Sequence, residues 1–129
     1  MTSRKPIVAI VENDISIIKA LRRLLHALGY KSEVFTSAEM FLQRDGDEQL
    51  SCLLLDVNLD GLSGIDLQRI LVTKKTAPPI IFMSGQGTDE TVRKAVEMGC
   101  IAFLHKPFES DALSAAIRKA MLANEAKAQ

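Results

Sequence analysis

An alternation constrains this chain more than any other feature. Five short strand-like segments, four of them apolar runs at residues 7–11, 52–55, 80–83 and 101–104 and a weaker one at 32–35, each give way to a stretch whose apolar residues recur at helical spacing. Ile7-Val8-Ala9-Ile10-Val11 is continuous and largely β-branched, the pattern of a strand covered on both faces. Cys52-Leu53-Leu54-Leu55 and Ile80-Ile81-Phe82-Met83 read the same way, and 32–35 is the weakest of the five. Ile17, Leu21, Leu24, Leu25 and Leu28 mark a helix over 14–28 that Asp14 can cap and Gly29 can end. Ser37 can cap a short helix carrying Ala38, Phe41 and Leu42. Ile65, Leu67, Ile70, Leu71 and Val72 mark a helix over 63–73. Val92, Ala95 and Val96 share a face of a helix over 88–98, with Gly99 past its end. Leu113, Ile117 and Met121 face inward from a fifth helix over 110–122. Residues 44–49 read as polar loop and 123–129 as a frayed tail.

Five strands alternating with five helices imply an α/β fold, a parallel sheet with helices on both faces. Right-handed crossovers leave few topologies. The flavodoxin-like (βα)5 solution, a doubly wound sheet of strand order 2-1-3-4-5, puts a switch point beside strands one and three. At 129 residues the chain is one domain, its core at 5–123, large enough to bury about two-thirds of its unfolded surface. Sixteen Lys and Arg balance sixteen Asp and Glu, so no basic surplus argues for nucleic acid. Cys52 and Cys100 are too few for a disulfide framework and read as small core residues of a reduced, cytoplasmic protein. The five-residue run behind the amino terminus is too short for a signal peptide core or a membrane span.

Open α/β sheets carry their chemistry at the carboxyl ends of strands. Here those ends supply Glu12-Asn13-Asp14, then Asp56 with Asn58 and a glycine-bearing turn behind it, then Ser84-Gly85, then Lys106-Pro107. A carboxylate can take up a phosphoryl group as an acyl phosphate. Such transfer needs mainly positioning and charge stabilisation. Magnesium binds few protein oxygens and keeps several waters. Asp14 is better spent as the helix cap than as a ligand.

In these landmarks, and in Gly64 eight residues after Asp56, the chain resembles the receiver domain of two-component response regulators, over essentially all of 5–123. The nitrogen-fixation-type regulators are the nearest in pattern. The resemblance implies that Asp56 accepts a phosphoryl group from a sensor histidine kinase or a phosphotransfer protein, with Mg2+ bound. Asp56, the Asn13 side chain and the Asn58 backbone carbonyl would be direct metal ligands, and Glu12 would act through water. Lys106 would meet a phosphoryl oxygen. Ser84 and Phe103 would form the switch that alters the surface of the fourth helix, fifth strand and fifth helix, through which a homodimer can form. The family also implies a cis Lys106–Pro107 bond, and that the protein is not an enzyme beyond its own phosphorylation and dephosphorylation.

Two departures stand out. The family usually has a second carboxylate where this chain has Asn13, and commonly a proline where it has Asp60. Asn13 favours the rival reading, a degenerate receiver acting as a phosphate-independent protein-binding module; Asp56, Ser84 and Lys106 together oppose it. A flavodoxin-type redox protein is a third class, but Glu12-Asn13-Asp14 would repel a phosphate after strand one. His26 and His105 lack metal-like spacing and read as solvent-facing or structural. Seven residues after the last expected helix are too few for a DNA-binding unit, so the chain reads as a stand-alone receiver or one excised from a longer regulator.

Overall fold

The computed structural model describes residues 5–45, 49–74, 77–85 and 88–128. The first four residues, part of the loop expected over 44–49, and Gln129 of the expected tail lie outside them. Five parallel strands, β1 (Ile7–Val11), β2 (Lys31–Phe35), β3 (Cys52–Asp56), β4 (Ile80–Ser84) and β5 (Ala102–His105), pair in the order β2-β1-β3-β4-β5. Five helices connect and follow them: α1 (Ile15–Ala27), α2 (Ala38–Leu42), α3 (Gly64–Leu71), α4 (Asp89–Glu97) and α5 (Ser110–Ala128). This is the expected flavodoxin-like arrangement.

Strands β1, β3 and β4 are buried at every residue, as their unbroken apolar runs require. Their side chains alternate between two cores. Ala9, Val11, Leu53, Leu55 and Phe82 meet Phe41, Leu67, Leu71 and Ala95 from α2, α3 and α4 on one face. Val8, Ile10, Leu54, Ile81 and Met83 meet Leu21, Leu25, Leu113 and Ile117 from α1 and α5 on the other. The period of two is what divides five consecutive apolar residues between two helical layers.

Local chemistry fixes the helix ends. Asp14 caps α1 by accepting from the Ser16 and Ile17 amides, and Ser37 caps α2 by accepting from Met40. Gly29 and Gly99 end α1 and α4 at φ of +92° and +96°. There the amides of Tyr30 and Cys100 bond back to the Leu25 and Ala95 carbonyls. Both cysteines are free. Burial pushes the Cys52 thiol up to about 12, and raises that of half-buried Cys100.

Three expectations change. Helix α5 runs on through Ala128, because 123–128 contain good helix formers and no breaker where a frayed tail was expected. Helix α3 stops at Leu71, which leaves Val72 exposed. On α4 only Ala95 is buried; Val96 is 58% exposed. Thr91 and Val92 are half-buried, and the ion pairs Arg93–Glu97 and Lys94–Glu90 lie in solvent.

Candidate functional site

Because all five strands run in one direction, their carboxyl ends form one edge. β3 lies between β1 and β4, so Asp56 sits between the residues that follow β1 and those that end β4. Asp56 is 4% exposed, and Glu12 and Ser84 are fully buried. Lys106 follows β5, and its amide donates to the Ser84 carbonyl at 2.8 Å. Its side chain crosses β3 to Glu12. Lys106 Nζ lies 2.6 Å from Glu12 Oε1 and 3.6 Å from Asp56 Oδ2. Four of the residues that sequence reasoning singled out, Glu12, Asp56, Ser84 and Lys106, therefore converge. The Lys106–Pro107 bond is cis, as the resemblance implied.

Glu12 is held by three donors within the protein. Its Oε2 accepts the amides of Asn13 and Asp14 at 3.0 and 3.2 Å while Oε1 takes the lysine. Asp56 Oδ1 accepts the Asn58 amide at 3.1 Å. Two carboxyl groups thus face one ammonium. The Asp56 carboxyl is raised from 3.8 to about 6. Burial is the largest cause and contact with Glu12 adds to it; the Asn58 amide and Lys106 act the other way.

Gly64 has a steric reason that its spacing only hinted at. A Cβ there would collide with the Asp56 carbonyl oxygen and lie 2.9 Å from Val57 Cα. The loop behind the strand therefore folds directly onto the backbone of Asp56, held by the Gly64 amide on the Val57 carbonyl.

The residues present fit a divalent magnesium ion. The excess negative charge, and a carboxyl that burial makes reluctant to ionise, are what a hard cation relieves. Among the described residues no group of three or more His, Cys, Asp or Glu side chains gathers, so amide and carbonyl oxygens would complete the set. Asn13 is exposed at the rim and Asn58 lies beside Asp56.

Sequence reasoning missed two features at this end. The Asn58 side chain donates to Ser84 Oγ at 3.4 Å, so Asn58 contacts both Asp56 and Ser84. Glu39, on α2, accepts the Leu62 amide of the same loop at 2.9 Å. Phe103 is half-buried, its ring 5.9 Å from that of Phe82 and 5.2 Å from that of exposed His105. The residue directly opposite Ser84 is His105 rather than Phe103, which is diagonal on the same face.

Comparison with known proteins identifies the family and bears out the fold. The family model of the response regulator receiver domain matches residues 8–118, and the chain belongs to that family. Response regulator protein TmoT of Ectopseudomonas mendocina is 37% identical over 121 residues, covering 94% of this chain and 55% of that protein. Transcriptional regulatory protein FixJ of Bradyrhizobium diazoefficiens is 31% identical over 112 residues, 87% of this chain and 55% of that one. FixJ is a compatible relative rather than one that stands apart from the others. Response regulator StyR superposes with a TM-score of 0.87 at 37% identity, covering 98% of this chain and 64% of StyR. The chain spans about half the length of the curated relatives it matches.

Proposed function

From membership of the receiver family, we propose that this domain is phosphorylated on Asp56 by a sensor histidine kinase or a phosphotransfer protein. The observation that supports it best is the placement of Asp56, buried beside Lys106 and the Glu12 that holds it. An Asp56 carboxylate oxygen attacks the phosphorus of a partner's phosphohistidine. The P–N bond breaks and its electron pair returns to the imidazole. Lys106 is within reach of the oxygens that gain charge, and Ser84 and the Asn58 side chain flank the same edge. Bound magnesium, held by Asp56, the Asn13 side chain and the Asn58 carbonyl, with Glu12 acting through water, would neutralise phosphoryl oxygens. The charge gained at Asp56 draws Ser84 inward. Phe103 follows, and the α4-β5-α5 surface changes its affinity for partners or a second copy. Helix α4, anchored by Ala95 alone among its buried residues, is suited to such a shift. No described helix is long and apolar enough to cross a membrane, and the proposed setting is the cytoplasm.

Intact mass after incubation with acetyl phosphate and magnesium tests this. One hydroxylamine-labile phosphoryl group should appear in the parent and be absent in Asp56→Asn. A parent that never labels would point to the phosphate-independent binding module that Asn13 favours.

A further inference from the structure

Glu39 lies in the first turn of α2, outside the cluster described above. Its carboxylate nevertheless crosses to the loop behind β3, where Oε2 accepts the Leu62 amide at 2.9 Å. That bond is charge-assisted, and it holds the Glu39 carboxyl below its ordinary range. Gly61 makes the approach possible. A Cβ there would lie 2.5 Å from Glu39 Oε2 and 3.2 Å from Cδ, and the residue holds φ at +76°. A side chain at 61 would both meet the carboxylate and strain the backbone.

The loop has a reason to need such a tether. Its ends are fixed, by the Val57 amide on the Met83 carbonyl and by the reciprocal Ser63–Asp66 cap of α3. The middle contains Asp60-Gly61, a pair with wide conformational freedom. Among the described residues, the bond to Glu39 is the one hydrogen bond that residues 59–62 make. Four residues back from Leu62 stands Asn58, which donates its amide to Asp56 and its side chain to Ser84.

We propose that Glu39 is a positioning residue for the Asp56 site: by holding Leu62 it fixes the loop that keeps Asn58 against Asp56 and Ser84. The inference rests on the reading of Asp56 as phosphoacceptor and extends it to a residue on α2 that touches none of the reacting atoms. Glu39 is exposed, so its substitution leaves the core intact.

Amide hydrogen exchange and phosphorylation kinetics, measured on the same proteins, test it. In Glu39→Ala the Leu62 and Asn58 amides should exchange about fivefold faster or more, while Leu54 in the core of β3 is unchanged. Labelling of Asp56 by acetyl phosphate at sub-saturating magnesium should slow by a similar factor. Glu39→Gln, whose amide oxygen still accepts a hydrogen bond, should recover most of both effects. Unchanged Leu62 exchange in Glu39→Ala overturns the tether. Faster Leu62 exchange with unchanged Asn58 exchange, or with an unchanged labelling rate, overturns the positioning role. If the parent itself never labels, the phosphoacceptor reading fails, and the Asn58 amide still decides whether Glu39 reaches the site.

Discussion

Replacing Asp56 by asparagine should make the protein more stable while removing its proposed chemistry. The reason is chiefly the burial of the Asp56 carboxyl, to which the neighbouring Glu12 adds. Asp56 is buried beside Glu12, and Lys106 is closer to Glu12 than to Asp56, at 2.6 against 3.6 Å. Its carboxyl stands at about 6 against an ordinary 3.8. At about 1.4 kcal/mol per pH unit, ionised Asp56 costs the fold up to roughly 3 kcal/mol. The sign follows from linkage: the folded state holds this proton more tightly than the unfolded one. The contribution of Asp56 therefore falls as pH rises from about 3.8 through about 6, and is level above that. Asparagine is neutral throughout and keeps the oxygen that accepts the Asn58 amide. The gap between Asp56→Asn and the parent should be small near pH 4 and reach about 2–3 kcal/mol by pH 7.5. Urea denaturation in magnesium-free buffer, with unchanged slopes, measures it. Saturating magnesium should narrow it, since the cation favours the ionised parent. A gap that is the same at pH 4.5 and 8, or a parent that is more stable at pH 8, would refute the reasoning.

Asn13→Asp should tighten magnesium binding by roughly 1 kcal/mol or more and lower the stability of the metal-free protein, because a third carboxylate joins a cluster with one ammonium. Equal magnesium affinity by titration calorimetry in the two proteins rejects this. Gly64→Ala should cost about 2–3 kcal/mol and slow labelling, since its methyl meets the rigid backbone of Asp56 and Val57; thermal unfolding at parental temperature counts against it. Ser84→Ala should still accept phosphate at Asp56 but lose most of the beryllofluoride-induced NMR shift at Phe103 and in α4, and most of any induced dimerisation. A full shift at Phe103 would show that the coupling does not run through Ser84.

The strands were legible because three of them are buried on both faces and so carry unbroken apolar runs. The α1 and α2 caps were legible because Asp14 and Ser37 act within three residues of themselves. What escaped acts over longer range or through polar side chains. Glu39 looks like any exposed helical glutamate until its partner 23 residues away is known. Gln68, a polar residue on α3 that no apolar pattern picks out, is buried and donates to the Ala95 carbonyl at 3.0 Å. Apolar spacing put Val96 on the inner face of α4, but periodicity cannot tell how closely a helix approaches. Ala95 is the one α4 residue that is buried, Val92 is half-buried, and Val96 stays in water.

The site was more legible than these contacts because topology does the gathering. Glu12 and Lys106 are 94 residues apart, yet parallel pairing in the order β2-β1-β3-β4-β5 brings both to one edge with Asp56 between them. Sequence alone supplies the residue types at the strand ends; register supplies the distances. The distances then divide the two carboxylates, which composition could not. Glu12 is held by three donors and serves as the counter-ion of Lys106. Asp56 takes one backbone amide, and the lysine stands 3.6 Å from its other oxygen. Of the two buried acids, the one left short of positive charge is also the one at the switch point. An added cation there would offset the cost of ionising Asp56, and the proposed phosphoryl group would present its oxygens to a lysine already within reach.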